Sequence, residues 1–434
     1  MPTASPHVII IGTGLGGLLT GAYLASIGRR VTFVEALEMI GGRFTHIDYQ
    51  GFAVPTGAFH ALPGGSRGLI VTCLQQIGVE VALTEPEPSM QVIWQGQPYP
   101  LYLPPSPQRH SGLRRAVGME KSLPFALRSA GYWFAGWCGH DASVTDWVGG
   151  RAAHAPAVRL FDHLTKFSFG VAADDAAAFY VMRSLLAQRF GREAFLLDGN
   201  RALVTTLCDF ALARDAVLRL KTPVTRIILD QGRAVGVETA DGERIPAGMV
   251  VSNAGAGQTA KLLGTDAPAA LRRQAEGRQP AYGATHAIRC RRRLHAHGSL
   301  EIPVDLDTIA GIVPISNICP NLCPPDWHYS LAYQAIDPQE AIAPQVARAH
   351  AELKAHLGDD IDIFNSATYY GEHPAMRIAQ CVGQYGRRRI APELPGIKGL
   401  FLVGDDAAGY GFAAEIIGYS CLRLWKRWAR GGAR

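Results

Sequence analysis

The chain opens on a hydrophobic run that changes period. Val8-Ile9-Ile10-Ile11 is β-branched and uninterrupted, the pattern of a strand buried on both faces in a parallel sheet. Gly12-Thr13-Gly14-Leu15-Gly16-Gly17 follows at once, and Leu18 to Ile27 then reads as an apolar helix ending at Gly28. Val31 to Val34 is the next strand, closed by Glu35. Strand, glycine turn, helix and strand within about thirty residues predict a βαβ unit, the context in which G-x-G-x-x-G binds a dinucleotide. Gly12 takes the tight turn, Gly14 lets backbone approach a pyrophosphate, and Gly17 lets helix and strand pack closely. Leu15 and Gly16 open the helix, whose free N–H groups attract the phosphates. Glu35, about twenty residues on, is placed for the ribose hydroxyls and repels a 2′-phosphate.

Farther along the pattern is mixed. Gln91 to Leu101, with Gly96 at its centre, predicts a hairpin, and proline-rich Tyr99 to Pro107 a loop. Leu113 to Leu197 reads as mostly helical, broken near Gly149-Gly150. Its aromatics (Tyr132, Trp133, Phe134, Trp137, Phe161, Phe167, Phe169, Phe179, Tyr180, Phe190) either line a hydrophobic pocket or fill helix core. His286 to Tyr370 supplies the remaining strands. Gly399 to Val403 is a second buried strand, followed by Gly404-Asp405 and by Gly409 to Glu415, which opens a closing helix. Two features favour FAD over NAD. Gly41-Gly42-Arg43 extends the site for a longer ligand, and a strand ending in Gly-Asp can set a carboxylate on a ribityl hydroxyl. The helix after it can stabilise negative charge on a reduced flavin ring.

These segments resemble the phytoene desaturase-like branch of the FAD-dependent amine oxidase superfamily. The resemblance rests on GTGLGG, Glu35 and GGR at 41–43, on TGAFHALPGG from Thr56, and on DGNRALVTTL from Asp198. It continues through TPVTRI from Thr222, GVETADGERIPAGMVVSN from Gly236, PNLCPPDWHYSLAY from Pro320 and the segment from Gly399 to Glu415. It implies an α/β fold in which a Rossmann-like FAD-binding domain, discontinuous in sequence (1–75, 195–285 and 390–434), carries an inserted α+β substrate domain (76–194 and 286–389). It also implies that Gly42, Arg43, backbone near Val224, Asn253, Gly404, Asp405, Phe412 and Ala413 contact FAD. Tyr410 and Phe412 depart from the small residues usual in the closing motif, so two aromatics either shape a substrate site or simply pack. The chain is also shorter than most carotenoid desaturases.

Composition narrows the picture. At 434 residues, 48% hydrophobic and 18% charged, the chain is globular and large enough for more than one unit. The net charge of +5 resides in the tail, where Arg423, Lys426, Arg427, Arg430 and Arg434 have no acid among them. The body is therefore neutral, which excludes a nucleic-acid groove. Trp425 and Trp428 in that tail are candidates for peripheral contact with an anionic membrane, against the plainer reading of a solvated helix end. Eight scattered cysteines make no disulfide framework, and Cys319 and Cys323 lack partners at zinc spacing, so no metal is expected. Reduced thiols and no visible signal peptide read as cytoplasmic. Uncharged Val8 to Ile27 is interrupted by glycines, and Ser129 to Cys138 is too short to span a bilayer, so it reads as interfacial or pocket-lining.

No Ser-His-Asp signature, phosphate-cleaving loop or C-x-x-C is present. His60, in TGAFH, is a candidate base or hydrogen-bond partner, or a structural histidine. Tyr410 is a second catalytic candidate, and Arg377 can hold a substrate carboxylate or phosphate. Three functions stay open. The first is an FAD oxidoreductase that desaturates, saturates or isomerises C–C bonds of a lipophilic isoprenoid-like substrate, with an unassigned electron acceptor. The second is an FAD-dependent amine or amino-acid dehydrogenase, and the third a non-catalytic isoprenoid-binding escort protein.

Overall fold

Val8–Ile11 lies at the centre of a five-stranded parallel sheet. Met249–Ser252 and Val31–Val34 flank it, with Leu400–Leu402 and Val217–Arg219 at the edges. The three central strands are buried at every residue, which is why they are unbroken apolar runs rather than alternating ones. This computed structural model describes residues 7–59, 61–101, 111–117, 122–150, 155–187, 192–411 and 414–432. The helix Leu15–Ser26 is buried along most of its length and packs against the helices Gly199–Leu212 and Ala414–Arg427. A helix apolar all round is stable only when covered in this way.

A seven-stranded sheet forms the second layer system, in the order Asp362–Tyr369, Gly283–Cys290, His328–Ala335, Ile309–Val313, Leu300–Pro303, Met90–Trp94 and Gln97–Leu101. Neighbours are antiparallel except Leu300–Pro303 with Met90–Trp94. The expected hairpin is there, with Gln95 (φ 51) and Gly96 (φ 68) at its turn. The Asp305 carboxylate holds that turn by accepting both N–H groups, at 2.7 and 2.8 Å. The small hairpin His46–Tyr49 and Phe52–Pro55 joins this layer through Phe52, whose ring lies 4.8 Å from that of Phe364 and 5.5 Å from that of Tyr329.

Helix Ala155–Phe169 packs on the seven-stranded sheet, and the helices Ser122–Trp137, Val144–Val148 and Ala178–Ala187 pack with it in a cluster. Of the aromatics on them, Phe161, Phe169, Phe179 and Tyr180 are buried in the helical core. Phe167 stands edge-on to Tyr333 at 5.2 Å, Tyr132 and Trp133 are half-buried, and Phe134 and Trp137 are exposed. Phe190 lies outside the described residues.

The tail corrects an expectation. Trp425 and Trp428 are buried, not presented to a membrane. Trp425 stacks on Tyr23 with ring centroids 4.3 Å apart, and Trp428 meets Phe401 edge-on at 5.3 Å. Arg423, Lys426, Arg427 and Arg430 turn outward instead. No described helix is long and apolar enough to cross a membrane. All eight cysteines are free thiols.

Candidate cofactor site

The glycine turn is built by backbone contact. Gly12 sits at φ 89, a conformation that favours glycine. A Cβ on Gly17 would lie 2.2 Å from the Gly12 carbonyl oxygen, so strand end and helix start touch with no room for a side chain. A Cβ on Gly14 would meet Asn253 Oδ1 at 2.5 Å, and one on Gly16 would meet the Gly404 nitrogen at 3.2 Å. The expected closeness at Gly14 therefore serves the Asn253 side chain. Asn253 is the clip of the site: its N–H donates to Ile11 O at 2.8 Å and its Nδ2 to Val403 O at 3.0 Å. Leu15, Gly16, Asn253 and Gly404 thus converge from three distant parts of the chain. Gly41 N–H donates to Thr13 O at 2.9 Å, and Gly42 has only the Gly14 Cα near its open side. Gly14 and Gly42 make a wall of bare backbone, with Gly41 packed behind it against Thr45 and Val204.

Glu35 is buried beside this wall. Its Oε2 accepts from the Thr13 N–H and the Thr13 hydroxyl, each at 2.7 Å, and its Oε1 accepts from the Leu37 N–H at 3.0 Å. An ionised carboxylate has about four acceptor sites. One is left for a ligand hydroxyl, and a second opens only if the Thr13 hydroxyl turns away. Thr222 N–H donates to Glu35 O at 2.8 Å, which brings the segment leading into Val224, the first residue of strand Val224–Asp230, alongside Glu35. Glu35→Ala weakens FAD binding by roughly ten- to a hundredfold, the loss expected for one hydrogen bond to a charged group. Fluorescence titration of the stripped protein with FAD checks this.

Arg43 crosses to the other motifs. Its Nη1 donates to Pro374 O at 2.9 Å and Ala375 O at 2.5 Å, and Nη2 lies 3.4 Å from Asp405 Oδ2. Both side chains keep about a third of their surface open, so each still has polar atoms to offer a ligand. Thr56 Oγ1 donates to Gly42 O at 2.8 Å, and the following segment is held by three side chains. Asn200 Nδ2 donates to Ala58 O at 3.1 Å, Tyr369 OH donates to Gly57 O at 3.2 Å, and Tyr333 OH accepts the Phe59 N–H at 2.9 Å. His60, Phe412 and Ala413 lie outside the described residues.

Arg377 lies against Gly255 and faces Asp406. Asp406 is a residue the sequence reading missed. It is fully enclosed, and its Oδ2 accepts the Ala256 N–H at 3.0 Å at the start of helix Ala256–Leu263. Burial and the neighbouring Asp405 push its pKa up, with Arg377 and Arg389 opposing. Arg389 was also missed. It is buried, donates to Ile378 O at 2.6 Å and Gln384 O at 3.2 Å, and also reaches the carbonyls of Asp405 and Ala379. The doubled aspartate in GDD is the signal that marks Asp406; nothing local separates Arg389 from Arg387 and Arg388.

Tyr410 is ringed by aromatics. It lies 6.2 Å from Tyr180 and 5.9 Å from Tyr419, with the Arg183 guanidinium 4.0 Å over its face. Tyr180 OH donates to Gly411 O at 2.5 Å.

The described residues fit FAD. Bare glycine backbone, a buried carboxylate with a free acceptor site, and a part-open Arg–Asp pair suit the pyrophosphate, ribose and ribityl chain in turn. Comparison with known proteins agrees. The family model for flavin containing amine oxidoreductase matches residues 15–415. A phytoene desaturase (neurosporene-forming) from Cereibacter sphaeroides is 27% identical over 299 residues, covering 60% of this chain and 56% of its own length. The chain thus spans little more than half of that relative. An uncharacterized protein from Methanocaldococcus jannaschii is 24% identical over 327 residues, covering 75% of this chain and 76% of its own. Among solved structures, an oxidoreductase from Methanosarcina mazei superposes with a TM-score of 0.84 at 22% identity, over 97% of this chain and 100% of its own. A putrescine oxidase bound to putrescine gives 0.67 at 15%, over 99% of each chain. The site geometry and the match over 15–415 together place the chain in the flavin-containing amine oxidoreductase family, with relatives in its phytoene desaturase-like branch.

Proposed function

We propose that the protein is an FAD-dependent oxidoreductase acting on carbon–carbon bonds of a lipophilic, isoprenoid-like molecule. On this reading residues 1–75, 195–285 and 390–434 carry the cofactor, and 76–194 with 286–389 carry the substrate. Bound flavin supplies a hydride acceptor or donor at N5. The chain's residues bind and orient. Gly14 and Gly42 receive the pyrophosphate, Glu35 the adenosine ribose, backbone beside Val224 the adenine, and Arg43 with Asp405 the ribityl side. The observation that carries the substrate class is the aromatic cluster at the closing motif, where Tyr180, Tyr410 and Tyr385 stand within 6.2 Å ring to ring of a neighbour in the set. Tyr180 and Tyr385 are buried and back the half-buried Tyr410, whose ring is the member that can border a flat apolar chain. Curated relatives named as phytoene and hydroxyneurosporene desaturases support the same class. The amine alternative is weaker, because its carboxylate clamp, Arg377, faces Asp406.

The test is incubation of FAD-loaded protein with acyclic polyenes in detergent, with oxygen or a quinone as acceptor. New absorption bands from altered conjugation support the proposal. Peroxide release from amines, with polyenes untouched, replaces it by amine oxidation.

A further inference from the structure

Glu415 lies in the first turn of the helix Ala414–Arg427 and is buried. Its carboxyl is enclosed by segments from several parts of the chain. The Leu69 N–H, first of helix Leu69–Ile77, reaches Oε1 at 3.4 Å. A Cβ on Gly64 would come within 3.6 Å of Oε1. A Cβ on Gly411 (φ 122) would lie 2.6 Å from Glu415 Cβ and 2.9 Å from Oε2, so the glycine there is what makes room.

The charged and titratable groups around it are few. Tyr180, which donates to Gly411 O, and Tyr410 next to that glycine are the facing phenols. From helix Leu69–Ile77 comes Cys73, whose thiol points to Gly418 O, and beyond Gly65 the Glu85 carboxylate accepts the Ser66 N–H. Arg389 acts on Tyr180 and Arg183 on Tyr410, and no described cation pairs with Glu415. Burial pushes the Glu415 carboxyl up to about 7, with only the Leu69 N–H opposing.

We propose that Glu415 is the charge-setting residue of the flavin site: with its proton it leaves the positive end of the closing helix intact for a ring that gains negative charge, and without it that end is cancelled. The first turn of a helix carries about half a positive charge. A carboxylate in the same turn, screened by little water, opposes it directly. Glu415 acts through the helix end and is a positioning residue. The inference rests on the FAD reading above, in which this helix faces the flavin.

The sign follows from linkage. The folded value lies above the unfolded value of 4.5, so the native chain keeps a proton the unfolded chain has lost. That contribution is full below the unfolded value and disappears as pH rises through about 7. The helix end is therefore uncancelled at pH 5.5 and cancelled at 8.5.

The experiment is reductive titration of FAD-loaded protein against a reference dye at both pH values, for wild type, Glu415→Gln and Glu415→Met. The amide is a stand-in for the protonated acid, and methionine is uncharged and of similar length. All three reduce with equal ease at pH 5.5. At pH 8.5 the wild-type reduction constant is lower than that of either variant by on the order of tenfold. Equal constants at 8.5, the same gap at both pH values, or loss of FAD from both variants at pH 5.5 overturns the proposal. A wild-type protein that takes up no FAD counts against the function reading instead.

Discussion

Gly17→Ala loses its bound FAD and about 3 kcal/mol of stability, the upper range for overpacking. Alanine in a helix normally gains on glycine by about 1 kcal/mol. Here the added methyl falls 2.2 Å from a backbone oxygen, that of Gly12, with Asn253 Cβ and Ile10 Cγ2 each at 3.2 Å. A flexible side chain could yield at that distance; a carbonyl at the end of a buried strand cannot. The helix must move off the sheet, and its N-terminal N–H groups move with it. Gly257→Ala is the control. It sits in helix Ala256–Leu263 with nothing within 4 Å of the new methyl, so it gains up to about 1 kcal/mol and keeps FAD. Urea unfolding followed with flavin absorbance separates the two. Equal behaviour of the two variants contradicts the account of the turn.

Arg389→Lys removes on the order of 3–5 kcal/mol and releases FAD, even though charge is conserved. The guanidinium is buried and serves four carbonyls, those of Ile378, Ala379, Gln384 and Asp405. A lysine has three donors on one atom and cannot span that fork. Two or more buried carbonyls are then left without a donor, at about 1–3 kcal/mol each. The carbonyl of Asp405 is among them, so the damage reaches Asp405 and its partner Arg43. Arg387→Lys, on the exposed neighbour, is expected to be silent. Thermal unfolding and FAD content of the two variants decide the matter, and a stable, yellow Arg389→Lys protein contradicts the reading.

What the sequence made legible was local. Val8–Ile11, the glycine turn and Glu35 form one unit whose spacing is set by the βαβ geometry, so their roles follow from residue type and distance along the chain. The Gln95-Gly96 hairpin is legible for the same reason. Partners contributed by distant segments were not. Spacing places Glu35 for the ribose hydroxyls, but Thr13 and Leu37 already use three of its acceptor sites. Arg387, Arg388 and Arg389 are alike in sequence, and only the fold turns the third inward. The burial of Trp425 and Trp428 is also legible in the sequence. With Cys421 they share one helix face at spacings of four and three, the signature of a buried stripe, and the basic composition of the tail obscured it.

The central claim is that the Gly12–Gly17 turn, Glu35, Arg43 and Asp405 hold FAD. The visible spectrum of the purified protein, before and after denaturation, tests it most directly. The account predicts bands near about 370 and about 450 nm, with FAD recovered in solution on unfolding and lost in Gly17→Ala. A colourless protein that stays colourless after incubation with FAD would contradict it.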